Sequence, residues 1–181
     1  MRFLTTLVLL GAVTVLRAEP EYPKQGPDIY DRTADGTAQI AAALTQARAG
    51  HKHVLVDLGA NWCVWCHRLH HALHTDAAVA KILRDNFVLV LVDVNHRDGK
   101  KRNDAVNTRY GNPMEQGLPV LLVLDAEGHF LTTQETGALE DGKSAHDPAK
   151  IIAFLQRWAP TGPTAPASPR AAPSPPATPP P

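Results

Sequence analysis

The sequence predicts an α/β fold, in which helices cover both faces of a mostly parallel central sheet that ends in an antiparallel hairpin. Two observations lead to this prediction. Apolar, valine-rich runs alternate with segments whose apolar residues recur at helical spacing, in the order helix–strand–helix–strand–helix–strand–strand–helix. The last two strands are separated by the turn-forming sequence Asp125-Ala126-Glu127-Gly128, which predicts the hairpin.

The first predicted elements are a helix, a strand and a second helix. Residues 35–49 are rich in alanine and place apolar residues at helical spacing, and Gly50 ends the pattern. Residues 54–58 form a short apolar run that is typical of a buried strand. The second helix is expected to begin at Cys63 and to reach about residue 73. Asp76 then continues it or caps a further helix over residues 76–83.

The second half of the chain supplies the other strands and the last helix. Residues 87–94 are almost wholly apolar and rich in valine, which favours a central strand covered on both faces. A short helix is expected to end near Tyr110, and residues 120–124 and 129–133 are the two strands of the hairpin. Asp147-Pro148 is a typical helix start, because Asp caps well and Pro fits the first turn.

Both ends of the chain differ in composition from the part between them. Arg2 precedes an apolar stretch of about fourteen residues, and Ala18 offers a cleavage point, which predicts a secretory signal. The stretch is shorter than the roughly 20 residues that span a bilayer, so a periplasmic or secreted protein without a membrane span is expected after cleavage. The predicted divisions are a signal (1–18), an irregular lead-in (19–34), one domain (35–159) and a disordered, proline-rich tail (160–181).

The charge balance gives no indication of a polyanionic partner. The chain carries 18 basic and 18 acidic residues, and no long run of one sign occurs. Neither nucleic acid nor an anionic membrane surface is therefore expected as a partner. No cofactor is expected either.

The two cysteines of the chain lie in the sequence Trp62-Cys63-Val64-Trp65-Cys66, shortly after the apolar run at 54–58. A disulfide at this spacing closes a very small loop and restrains the unfolded chain little, so a redox role is favoured over a structural one. If a helix begins at Cys63, its free N–H groups and the positive end of its dipole favour a thiolate there. Export would place this dithiol where disulfide exchange is useful.

Three features together resemble the thioredoxin superfamily over roughly residues 35–158. They are the WCxxC sequence between a strand and a helix, Asp57 six residues before the first cysteine, and Gly117-Leu118-Pro119 ahead of a later strand. Within the superfamily, the runs VLVDLGANWCVWC and GLPVLLVLDAEG are similar to the C-terminal periplasmic domains of the DsbD thiol:disulfide interchange reductases. The resemblance implies a thioredoxin-like three-layer fold and thiol:disulfide oxidoreductase activity.

The resemblance also implies roles for individual residues. Cys63 would be the nucleophile that attacks a substrate disulfide, and Cys66 the resolving thiol that breaks the mixed disulfide. Asp57 would lie buried beneath the pair and exchange the proton of Cys66. Pro119 would be a cis proline that faces the dithiol. Substrate contacts are expected from Trp62, Trp65 and Leu118, although Trp65 is equally consistent with packing on its helix.

The working direction depends on what stabilises the reduced form. A reductant is favoured because the likeness is to a reductase domain and because Asp57 is expected to be buried. His67 lies one turn after Cys63, and as an imidazolium it would favour the thiolate, which would make the protein an oxidant instead. The expected partners are disulfide-containing protein substrates and a separate thiol electron donor, for example one in the membrane.

Other interpretations of the cysteines stay open. A metal-binding or chaperone-like module would combine the two thiols with four histidines that fall within one arc of about 100° on the predicted helix, His67, His70, His71 and His74. A solvated helix face explains the same histidines. The sequence Cys63 to His67 also matches the CxxCH of c-type haem attachment, but its position among strands disfavours a cytochrome.

Overall fold

The computed structural model describes residues 26–99 and 101–161. The predicted secretory signal, residues 19–25 of the predicted lead-in and nearly all of the proline-rich tail lie outside these residues. The described part contains, in chain order, α1 Gly36–Gly50, β1 His53–Gly59, α2 Val64–Thr75, α3 Ala77–Asn86, β2 Phe87–Asp93, α4 Asp104–Arg109, β3 Val120–Leu124, β4 Phe130–Glu135 and α5 Pro148–Trp158.

The order and type of these elements agree with the sequence prediction, and three helices begin after an aspartate. The carboxylates of Asp35, Asp76 and Asp147 accept hydrogen bonds from backbone N–H groups in the first turns of α1, α3 and α5, which would otherwise lack partners. Short 3₁₀ segments at Arg97–Gly99, Pro113–Gln116 and Thr136–Leu139 were not predicted. Among the described residues, no helix combines the length and the apolar character needed to cross a membrane.

The sheet is mixed, so the prediction of a mostly parallel sheet is wrong. Its strand order is β2-β1-β3-β4, and only β1 and β2 run parallel, whereas β3 is antiparallel to both of its neighbours. The reason lies in α4, which has six residues and is therefore about 9 Å long, against about 23 Å for a seven-residue strand. Because α4 does not carry the chain back along the strands, β3 starts at the same end of the sheet at which β1 and β2 finish, and it runs in the opposite direction.

Strand β2 lies at the edge of the sheet, so its predicted central position is also wrong. Residues 88–91 are only half-buried in the middle of the strand. Its apolar run is explained by α1 and α3, which pack against it on opposite faces. The composition therefore indicates that both faces are covered, but it does not indicate how many strands flank β2.

Two apolar cores lie on opposite faces of the sheet, which confirms the three-layer α/β fold. Val54, Val56 and Leu58 of β1 face α1 and α4 in one core. Leu55 of β1 faces the other core, which α2, α3 and α5 cover. Asp57 shares the face of Leu55, because side chains two residues apart on a strand point the same way. A carboxyl is thereby directed into the layer where α2 begins.

Candidate redox site

Cys63 and Cys66 form a disulfide at the start of α2. Cys63 is the N-cap residue of the helix, and its Sγ accepts a hydrogen bond from the backbone N–H of Cys66 at 3.2 Å. Cys63 keeps 5% of its surface exposed, whereas Cys66 is wholly buried. A partner molecule therefore reaches Cys63 first, and the N–H groups of the first helical turn favour negative charge on its sulfur.

Asp57 is wholly buried near the resolving cysteine. A Cβ at Gly59 would lie 2.8 Å from Cys66 Sγ, and Asp57 is one two-residue repeat, about 7 Å, further back along the same face of β1. Burial raises the pKa of Asp57 to about 7, and a hydrogen bond from Tyr30 acts in the opposite direction. Near neutral pH the carboxyl therefore takes both protonation states, as proton exchange requires.

Tyr30 is a site residue that the sequence analysis missed, because it lies in the segment predicted as an irregular lead-in. Its side chain is 2% exposed and packs with Cys63 and Cys66. The hydroxyl donates a hydrogen bond of 2.9 Å to Asp57 Oδ1. The adjacent Ile29 and Tyr30, two apolar residues in a polar stretch, are the signal in the sequence that this segment returns to the core.

Trp62 and Arg97 form one wall of a groove beside the nucleophile. The indole N–H of Trp62 donates to Asn95 Oδ1 at 2.8 Å, and the Arg97 guanidinium carbon lies 3.3 Å from the ring centroid. Arg97 is exposed and is the charged residue among those that line this groove, Trp62, Cys63, Val64, Trp65, Arg97, Gly117 and Leu118. The indole is thus fixed at its polar end and covered by a cation.

Trp65 is half-buried and contacts its own helix and the segment before α5. The guanidinium carbon of Arg68 lies 4.5 Å from the ring centroid, and the His146 ring meets it edge to face at 5.5 Å. Burial lowers the pKa of His146 to about 4, so this ring is neutral at physiological pH. Trp65 therefore packs within the fold and also lines the groove, and its contact with a substrate stays a prediction.

The Leu118–Pro119 peptide bond is cis, and this loop lies opposite the nucleophile. The carbonyl oxygen of Leu118 is 3.6 Å from Cys63 Sγ. The buried hydroxyl of Thr136 donates to the carbonyl oxygen of Pro119 at 2.6 Å, which fixes the loop from behind. Leu118 and Pro119 therefore lie beside the dithiol, and Thr136 is an additional support that the sequence did not indicate.

His67 is buried beside the dithiol rather than exposed on the helix. Its Nε2 is 2.8 Å from the backbone carbonyl oxygen of Asn61, so this ring nitrogen holds the loop before Trp62. The ring therefore supports the loop before Trp62, and its influence on the thiolate stays a prediction.

The other three histidines are less buried than His67, since His70 is half-buried and His71 and His74 are exposed. His70 and His74 stack with ring centroids 4.1 Å apart, and burial together with the neighbouring histidines lowers the pKa of His70 to about 4. In the described part of the chain, no group of three or more His, Cys, Asp or Glu side chains is arranged to hold a metal ion.

A cysteine pair at a helix N-terminus, a buried carboxyl behind it and a proline loop in front of it define a protein of the thioredoxin-like class. The comparisons with known proteins agree with this assignment. Residues 35–126 match the family model described as Thioredoxin-like, and the chain belongs to that family.

Relatives and solved structures of the same class include DsbD proteins. The chain is 30% identical over 130 residues to the thiol:disulfide interchange protein DsbD of Pseudomonas fluorescens and 32% identical over 99 residues to that of Colwellia psychrerythraea. These matches cover 71% and 55% of this chain, but only 20% and 16% of the respective relatives.

Two solved structures share the fold over most of their own length. The disulphide isomerase from Xylella fastidiosa superimposes with a TM-score of 0.61 at 29% identity, over 71% of this chain and 95% of that one. The oxidised DsbD C-terminal domain of Neisseria meningitidis has a TM-score of 0.50 at 20% identity, over 69% and 97% of the two chains. The second likeness concerns the fold alone.

Proposed function

We propose that this protein is an exported thiol:disulfide oxidoreductase that reduces disulfides in protein substrates through Cys63 and Cys66. The observation that carries the proposal is the asymmetry of the pair. Cys63 caps α2, keeps some exposure and faces the Leu118–Pro119 loop, whereas Cys66 is wholly buried close to Asp57. The Cys63 sulfur is accessible to a partner molecule, whereas the Cys66 sulfur contacts only groups inside the protein.

The proposed reaction has two exchange steps. The Cys63 thiolate attacks one sulfur of the substrate disulfide, and the other substrate sulfur leaves as a thiolate that takes a proton. The Cys66 thiol then gives its proton to the Asp57 carboxylate, and the resulting thiolate attacks Cys63 Sγ. This forms the enzyme disulfide and releases the second substrate thiolate. Two electrons pass to the substrate, and a separate thiol donor must return them to the enzyme.

The groove beside Cys63 supports a peptide substrate. The backbone groups of Leu118 lie within reach of a chain whose sulfur is bonded to Cys63, and Trp62, Val64 and Trp65 offer apolar surface. Two half-buried indoles add contact area with little loss of side-chain freedom on binding. We therefore expect an extended peptide segment around a cystine to be a better substrate than a small disulfide is.

The roles of the two cysteines are tested by trapping the mixed disulfide. The Cys66→Ala variant should form a stable covalent complex with a disulfide-bonded peptide, because nothing resolves it, and non-reducing electrophoresis detects that complex. The Cys63→Ala variant is the matched control and should form little or none. Equal trapping by both variants would overturn the assignment of Cys63 as the nucleophile.

The working direction is tested by the equilibrium reduction potential of the pair in dithiothreitol or glutathione buffers. A value near about −270 mV supports the proposed reductant, whereas a value near about −120 mV marks an oxidant.

Export is tested separately, by the N-terminus of the mature protein. Mass spectrometry of protein recovered from outside the cytoplasm should find an N-terminus at Glu19, and a retained Met1 would contradict the proposed signal.

A further inference from the structure

We propose that Tyr30, which the segment before α1 brings to the dithiol, is a positioning residue that holds the Asp57 carboxyl ready to exchange a proton with Cys66. The inference rests on the proposed function for the identity of the proton donor. It assigns a task to a residue that lies before the part of the chain that matches the family model, which begins at residue 35.

Tyr30 is fixed in place by hydrogen bonds to the loop that carries the cysteines. Asn61 Oδ1 accepts from the backbone N–H groups of Ile29 and Tyr30, each at 2.9 Å. Asn61 Nδ2 donates to the carbonyl oxygen of Tyr30, also at 2.9 Å. Because one side chain satisfies three backbone groups of this segment, the position of the tyrosine is linked directly to the residue just before Trp62.

The tyrosine hydroxyl determines which carboxyl oxygen of Asp57 is free. It donates to Oδ1 at 2.9 Å, while the buried Oδ2 has no hydrogen-bond partner among the described residues. An unpaired, buried carboxylate oxygen is costly, and protonation removes most of that cost. The arrangement therefore leaves one oxygen bonded and one oxygen open to accept a proton.

Gly59 shows that the tyrosine and the resolving sulfur share one small space. A Cβ at this position would come closer than 3.0 Å to the Tyr30 hydroxyl and would lie 2.8 Å from Cys66 Sγ. Both groups therefore border the same spot on the face of β1 that carries Asp57. The Tyr30 ring occupies the room that a side chain at position 59 would fill, and closes the carboxyl off from water.

The hydroxyl remains a donor throughout the physiological pH range. Burial raises the pKa of Tyr30 well above its ordinary value, and the charges of Asp57 and Asp93 add to this rise. Asp93, at the end of β2, is held by Arg102 at 3.2 Å, and β3 presents Leu121 opposite Asp57. Apart from Cys66 of α2, Tyr30 is thus the titratable group that acts directly on this carboxyl.

The test is a titration of the Asp57 carboxyl by ¹³C NMR in the oxidised full chain, with and without the substitution Tyr30→Phe. Loss of the hydroxyl leaves Oδ1 without its donor and disfavours the carboxylate, so the titration should move upward by about one pH unit. The pH dependence of mixed-disulfide resolution should move in the same direction. Tyr110→Phe is the matched control, since Tyr110 packs against Phe130 and not against the dithiol, and it should leave both curves unchanged.

Two further variants exclude a merely structural effect. Replacement of Tyr30 by a fluorinated tyrosine keeps the ring and makes the hydroxyl a stronger donor, so the Asp57 titration should move downward. In the Asp57→Asn background, Tyr30→Phe should no longer alter the pH profile of resolution.

Either of two results would overturn the inference: an unchanged Asp57 titration in Tyr30→Phe, or a shift of the same sign with fluorotyrosine. Absence of thiol–disulfide exchange in the unsubstituted protein would instead overturn the proposed function. The carboxyl titration would still decide the role of Tyr30 in that case, because it does not depend on activity.

Discussion

The stability advantage of Asp57→Asn over the unsubstituted protein should grow as the pH rises, while the variant loses the group proposed to exchange the proton. Burial raises the pKa of Asp57 from 3.8 to about 7, and one pKa unit corresponds to about 1.36 kcal/mol. The folded state of the unsubstituted protein therefore loses, in total, on the order of 4 kcal/mol of stability as this group ionises. The Asp57→Asn variant has no such group and should not show this loss.

The sign follows from which state holds the proton. Below pH 3.8 the carboxyl is protonated in both the folded and the unfolded chain, so it adds no pH dependence. At higher pH the unfolded chain releases the proton first, and the folded state becomes progressively less stable up to about pH 7. More than half of the total effect, roughly 2.5 kcal/mol, falls between about pH 5 and pH 8.

The assay is urea unfolding of the oxidised protein at several pH values between these limits, with the free energy of unfolding extrapolated to water. The quantity to compare is the difference between Asp57→Asn and the unsubstituted protein, because titration of the other groups cancels in it. Asp57→Leu provides a second neutral side chain of different packing, and it should give the same slope with a different offset. A difference that stays flat with pH would refute the reasoning that burial of Asp57 outweighs the hydrogen bond from Tyr30.

Three further substitutions test the supports of the site. Gly59→Ala forces a Cβ into the Tyr30 hydroxyl and should cost about 1–3 kcal/mol of unfolding free energy. Thr136→Val removes the hydrogen bond to the carbonyl oxygen of Pro119 and should raise KM for a disulfide peptide more than it lowers kcat, because the loop loses its buried support. Asn61→Ala removes three bonds to the segment around Tyr30 and should speed hydrogen exchange at the amides of residues 29 and 30 at least tenfold.

Each of these expectations has an outcome that contradicts it. Unchanged stability of Gly59→Ala would mean that the tyrosine ring moves aside at little cost. An equal fall in kcat with no change in KM for Thr136→Val would place the loop in the chemical step rather than in binding. Continued slow exchange in Asn61→Ala would mean that the ring of Tyr30, and not the amide of Asn61, holds the segment.

The sequence predicted every α-helix and strand of the described part, but not the relative directions of the strands in the sheet. Aspartate caps, a glycine stop and apolar periodicity are local signals, and the structure forms each element where these signals occur. Strand direction depends on how far a connection carries the chain, and the six residues of α4 are too few to return it along the sheet. The position of β2 at the edge likewise depends on which strands pair, which its composition does not record.

The residues that lie at the dithiol were easier to predict from the sequence than the segment that supports them. Cys63, Cys66, Asp57 and the Leu118–Pro119 loop stand out in the sequence because their residue types are unusual for their local context, such as a carboxyl within an apolar strand. For Tyr30, the apolar pair with Ile29 indicates only that the segment is buried, because its hydrogen-bond partner is 27 residues away in the sequence. Its role arises only when Asn61 anchors a segment with no regular structure against the dithiol.

The part of the chain that matches the family model does not include every residue of the candidate site, because Tyr30 lies before its first residue. A truncated protein that began at residue 35, where the family match starts, would keep every helix and strand of the described residues. It would lack the aromatic ring of Tyr30, which covers the carboxyl. Water would then reach Asp57, and its pKa would fall toward the value of an exposed aspartate. Redox measurements on such a shortened protein would be made with an altered Asp57 pKa. Measurements on this protein should therefore keep the residues that precede α1.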